Sequence, residues 1–109
     1  MNIGSAIKSI RKKLGIPQWD LAEKCGLSQT SLSQIENNQK RPSPKTVAKL
    51  CSVLEIPESI IYIVAMEDVD VPDSKKRAYQ LIYPSIKNLA MQMVNPEHRS
   101  LIDENEEDD

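Results

Sequence analysis

The chain has 109 residues, 39% of them apolar and 28% charged, which fits one small globular domain with at most an appendage. Its net charge of −2 hides a division: residues 1–66 carry nine Lys and Arg against five Asp and Glu, and residues 67–109 carry five against eleven. No apolar run approaches the roughly 18–20 residues of a membrane span, and no basic stretch with an apolar core opens the chain, so a membrane partner is excluded and a cytoplasmic location expected.

Taken in chain order, Ile3, Ile7, Ile10 and Leu14 put one apolar stripe on a first helix, ended by Gly15. Lys8, Lys12 and Lys13 lie between them, as a solvated face or a source of long-range attraction to a polyanion. Pro17 opens a short second helix with Leu21, Ala22 and Cys25 inward. Gly26 stops it, because a glycine there supplies the left-handed backbone of a sharp turn. Ser28 caps a third helix, Gln29 to about Asn37, with Leu32 and Ile35 inward and Leu27 positioned as a staple. Its other side is Gln29, Thr30, Ser33 and Gln34, all uncharged hydrogen-bonding residues.

After the polar loop N-N-Q-K-R-P, Ser43 and Pro44 start a fourth helix that runs to about Leu54. Ile56-Pro57 introduces a fifth, with Ile60, Ile61 and Ile63 as candidates for burial. The acidic run E-D-V-D-V-P-D reads as an extended linker, and Asp73 as the cap of a sixth helix from Ser74. Ala78, Leu81, Ile82, Ser85, Leu89, Ala90 and Met93 recur along it at helical steps, and Pro84 predicts a kink or break. The final D-E-N-E-E-D-D reads as a disordered acidic tail. Phe is absent, so Ile, Leu, Val, Ala and Met have to fill the core.

Two short helices that meet at a glycine turn, with small Ala22 at the crossing, form the αα unit whose second helix can enter a DNA major groove. The run Q-W-D-L-A-E-K-C-G-L-S-Q-T-S-L-S-Q-I-E-N-N resembles the Xre-type DNA-binding domain of lambda-like phage repressors and Cro. The lead-in R-K-K-L-G-I, the exit E-N-N-Q-K-R-P and the fourth-helix run A-K-L-C-S-V-L-E-I-P agree with it. The resemblance spans Ile3 to about Ile63 and implies an all-α, five-helix lambda repressor-like fold, here with a C-terminal helical extension.

It also implies roles. Gln18 matches a residue that touches a phosphate and buttresses the first reader. Gln29, Thr30 and Gln34 match residues that read base edges, with Ser33 on the same face. Asn37, Lys40 and Arg41 match a loop that follows the DNA backbone, and Arg11 with Glu36 matches a buried ion pair. The chemistry agrees, since Gln pairs bidentately with adenine and cations nearby bind phosphate. Two positions depart from the family: Pro17 removes a hydroxyl cap, and Trp19 stands where it either meets a sugar–phosphate edge or shields the helix terminus.

The expected organisation is a DNA-binding domain over 1–66, a linker and dimerising helix over 67–94, and a tail over 95–109. The stripe Leu81, Ile82, Leu89 and Met93 either joins two copies, the favoured reading, or packs on its own domain. Lys75, Lys76 and Arg77 form a charged first turn or touch phosphates. The function implied is a homodimeric transcriptional repressor with double-stranded DNA as partner. The alternatives are an antitoxin that also binds a toxin, a restriction–modification controller, and a protein–protein adaptor that keeps the fold without DNA. Cys25 and Cys51 read as reduced core residues and His98 as an uninvolved tail residue, so no metal site, cofactor or enzyme activity is expected.

Overall fold

Apolar residues at three- and four-residue steps wind into six α-helices in a computed structural model that describes residues 1–94. They are α1 (Ile3–Lys13), α2 (Gln18–Lys24), α3 (Gln29–Glu36), α4 (Pro44–Leu54), α5 (Glu58–Ala65) and α6 (Lys76–Val94), with short 3-10 turns at Asp68–Asp70 and Asp73–Lys75. The acidic tail and His98 lie outside the described residues. No helix among those described is long and apolar enough to cross a membrane.

Local chemistry sets the helix starts. The side chains of Asn2, Ser28 and Ser43 accept from the backbone N–H three residues on, at 3.0, 3.0 and 3.2 Å. Each such cap is worth about 1 kcal/mol. Pro17 precedes α2 and makes no side-chain cap bond. Gly26 turns the chain between α2 and α3 at φ +69°. Gly4 serves a different need, because a Cβ there would overlap the carbonyl oxygen of Ile35 where α1 crosses the end of α3.

Helices α1 to α5 close around one aliphatic core. Ile7, Ile10, Leu21, Leu32, Leu50 and Ile61 are its largest fully buried members. Val64 and Ala65 are buried on α5 beside Ile60 and Ile61, while Ile63 is only half-buried.

The sixth helix differs from its expectation in three ways. The acidic run before it is not extended: the Asp70 carboxylate accepts from the Glu67 N–H at 2.8 Å and folds it into a 3-10 turn. A second 3-10 turn delays α6 to Lys76, and Asp73 forms an ion pair with Lys76 at 2.9 Å instead of capping it. Pro84 lies inside α6 without ending it. Pro84 is exposed, so water can reach the Gln80 carbonyl that it leaves unbonded.

The docked face of α6 is not the stripe that recurs at helical steps from Ala78 to Met93. Of that stripe only Ala90 is buried. Tyr79, Tyr83, Ala90 and Val94 face the body of the molecule instead, four, seven and four residues apart. The Tyr83 hydroxyl lies 2.6 Å from the Ile63 carbonyl oxygen and 3.0 Å from that of Val64, and Tyr79 donates to the Met66 carbonyl at 3.0 Å. These carbonyls lie at the C-terminal end of α5, where the helix runs out of N–H donors; that of Ile63 also accepts from the Met66 N–H at 3.4 Å. The two rings stack with centroids 4.6 Å apart. Leu81, Ile82, Leu89 and Met93 point outward, 55–74% exposed.

Candidate nucleic-acid interface

Burial of Leu21, Ala22, Leu32 and Ile35 fixes α3 against α2 and rolls its polar side outward. The Leu27 N–H donates to the Ala22 carbonyl at 2.9 Å and tightens the turn between them. The outer side of α3 then lines a shallow groove of about 400 Å³ with Gln18, Gln29, Thr30, Ser33, Gln34 and Gln39. Five of the six are the residues singled out from the sequence.

Gln39 is the addition. The backbone N–H groups of Gln39 and Lys40 both donate to the Gln34 carbonyl, at 2.8 and 3.2 Å, and fold the loop back over the end of α3. Asn38 permits this by adopting φ +61°. Helical spacing says nothing of a residue beyond the helix end. The usable signal is N-N after the last apolar position, since Asn tolerates the left-handed region.

One hydrogen-bonded chain runs from the core to this groove. Arg11 and Glu36 form a two-pronged buried pair, with Nε to Oε2 at 2.7 Å and Nη2 to Oε1 at 2.9 Å. The third Arg11 branch donates to the Ile16 carbonyl at 2.9 Å and secures the segment before α2. Gln18 Nε2 donates to Glu36 Oε1 at 3.0 Å. That leaves Gln18 Oε1 to accept from Gln29 Nε2 at 3.4 Å. A carboxylate only 2% exposed needs all these donors, because an unsatisfied buried charge is costly. The rigidity spreads outward: Glu36 orients Gln18, and Gln18 orients the first amide of α3.

The cations stand apart from the amides. Lys40 and Arg41 line a second depression of about 590 Å³, together with Asn38, Tyr62 and Asp70. Asn37 is exposed and lines neither, its amide donating to the Ser33 hydroxyl at 3.4 Å. The face is therefore neutral donors and acceptors in a groove with positive charge to one side. That combination can meet base edges and phosphates at once.

Neither cysteine adds reactive chemistry. Both are free thiols, and burial pushes Cys51 up to about 11, with the Glu58 charge adding to it. Burial raises Cys25 too, against the lowering influence of Lys49. A thiol held protonated is a poor nucleophile.

Residues 7–61 match the protein family described as Helix-turn-helix. The chain is 30% identical over 97 residues to the HTH-type transcriptional regulator ImmR of Bacillus subtilis, across 89% of this chain and 71% of that protein. It is 42% identical over 55 residues to the HTH-type transcriptional regulator SinR of the same organism, across 50% of each. It is 39% identical over 61 residues to the immunity repressor protein of Bacillus phage phi105, across 56% of this chain and 42% of that protein. The matched stretch thus spans half or less of the latter two relatives.

Proposed function

The chain belongs to the Helix-turn-helix family, in its Xre-like branch, and on that premise we propose that it is a sequence-specific DNA-binding transcriptional regulator, a homodimeric repressor that reads operator half-sites. Helix α3 enters the major groove with Gln29, Thr30, Ser33 and Gln34 against base edges. Gln18 holds Gln29 and touches the backbone. Asn37, Lys40 and Arg41 follow the phosphates. The observation that carries this reading is the chain Arg11–Glu36–Gln18–Gln29, which spends a buried ion pair on the orientation of one surface amide. The names of the relatives, which include an immunity repressor, support it.

In the same reading residues 1–66 are the DNA-binding unit and 67–94 the linker and pairing helix. The outward stripe of α6 joins two copies, as two-fold recognition of paired half-sites requires.

Selection from randomised duplexes tests it. The wild-type chain should enrich two half-sites about one helical turn apart. The double substitution Gln29→Ala, Gln34→Ala should fold normally and lose about 2–6 kcal/mol of discrimination, two bidentate contacts at about 1–3 each. An unchanged motif in the double variant would remove α3 as the reader.

A further inference from the structure

We propose that Trp19 packs against the sugar–phosphate backbone beside the α3 groove, as an uncharged anchor on the flank opposite in character to Lys40 and Arg41; this rests on the DNA-binding reading above.

Within the family-matched residues 7–61, Trp19 is the one large apolar side chain left exposed, at 56%. Every other one in that stretch is buried or half-buried against the core. An exposed indole joins a broad apolar face to one N–H donor, the combination that suits Trp to interfaces, and here it is open to a partner outside the molecule.

Its position says which partner. Trp19 follows Gln18, whose side chain lines the groove. Successive residues on an α-helix stand about 100° apart, and the indole accordingly lies outside the groove lining while its neighbour Gln18 is part of it. A group there meets the strand that borders a half-site.

The charges on α2 leave that flank without a cationic anchor. Its one cation, Lys24, reaches back to Asp20 at 3.2 Å, and Glu23 adds a further negative charge. Helix α2 therefore brings no uncommitted positive group to the backbone, whereas the α3–α4 loop brings two. An indole suits the place. Its ring covers the apolar face of a deoxyribose, and its N–H, a donor only, matches phosphate oxygens, which only accept. No other described residue takes that N–H in a hydrogen bond.

A neutral anchor and a cationic one differ in salt dependence. Each neutralised phosphate contributes about −0.9 to the slope of log K against log salt. Trp19 is the sole tryptophan, so its emission reports this site alone. The test takes the duplex recovered in the selection above and measures Trp emission and affinity across a salt series, for wild type, Trp19→Ala, Trp19→Phe and Arg41→Ala.

Saturating duplex should change the wild-type emission. Trp19→Ala should bind about tenfold more weakly at every salt concentration, with the same slope and base preference. Trp19→Phe, which keeps a ring but no N–H, should fall between. Arg41→Ala should flatten the slope by about 0.9.

Wild-type emission unmoved by saturating duplex overturns the contact, and it needs no variant to fold. So does an unchanged affinity in Trp19→Ala, or an altered base preference, which would make Trp19 a reader of bases. Failure of the wild type to enrich any motif removes the proposed function itself, and this contact with it. A motif without a Trp19 effect removes only the contact.

Discussion

Helices α3 and α6 each give one side to the body of the molecule and one to the outside, yet they divide their chemistry in opposite ways. On α3 the outer side is amides and hydroxyls, and one of them is tied through Gln18 to a buried ion pair. On α6 the outer side carries the apolar stripe Leu81, Ile82, Leu89 and Met93 between polar residues such as Gln80, Ser85 and Asn88, while the tyrosine hydroxyls turn inward to the end of α5. A polar surface gains direction only when something beneath it fixes its rotamers. An apolar surface needs area and shape, and so asks only for a helix held in place. The first suits a reader of base edges and the second suits a subunit contact.

The contrast can be broken first at its deepest point. Glu36→Gln leaves the Arg11 guanidinium charged at a site only 7% exposed. Loss of one partner of such a pair costs about 3–5 kcal/mol. For a domain of this size that lowers the melting temperature by about 12 °C or more, as thermal unfolding followed by circular dichroism would show. The double change Arg11→Met, Glu36→Leu sharpens the point. It should recover most of the stability, since an apolar pair can replace a buried ionic one. It should not recover base preference, because Gln18 then has no carboxylate to hold it. Recovery of both would mean that the pair serves the fold alone.

The corresponding cut on the other side is smaller. Tyr83→Phe removes the hydroxyl that lies between the Ile63 and Val64 carbonyls but keeps the ring on Tyr79. The expected loss is about 1 kcal/mol, since the Ile63 carbonyl keeps the Met66 N–H and only the Val64 carbonyl loses its side-chain donor. Hydrogen exchange should localise it to α6 and the end of α5. The α3 amides should stay as protected as before, because α6 docks on α5 and α1 and not on α3. Exchange that rose along α3 as well would show the two faces to be mechanically coupled.

What the sequence made legible follows the range of each interaction. Ser28, Ser43, Pro44 and Gly26 act on the next one to four residues, so their roles stand in the local pattern. Helices α1 to α5 follow from apolar spacing for the same reason. The Arg11–Glu36 pair joins residues 25 apart, and resemblance to a family suggested it where spacing was silent. Tyr83 bonds across 20 residues and Tyr79 across 13, and nothing local marks a tyrosine as the docking side of its helix. The stripe of Leu and Ile is the stronger periodic signal on α6. Periodicity alone left open whether that stripe packs on its own domain or faces outward, and the structure turns it outward. Gln39 escaped because its place depends on the left-handed turn at Asn38, and Glu55, also left-handed at φ +57°, escaped in the same way.

The smallest expected effect on the folded unit is the one that decides the purpose of α6. Leu81 and Leu89 are 74% and 60% exposed, so Leu81→Asp with Leu89→Asp removes little contact within the chain. At dilute concentration, stability should change by no more than about 0.5 kcal/mol per substitution. If the stripe pairs two copies, the consequence is of another kind. Sedimentation velocity should show the wild type shift from one to two copies with rising concentration and the double variant stay single. Affinity for an isolated half-site should then be unchanged, while affinity for the paired site falls, because only the second binding event loses its tether. A double variant that still pairs would move the subunit contact off α6. A wild type that stays single at every concentration would leave the stripe to a partner of another sequence. In either outcome the α3 face keeps its reading, since nothing in its hydrogen-bonded chain passes through α6.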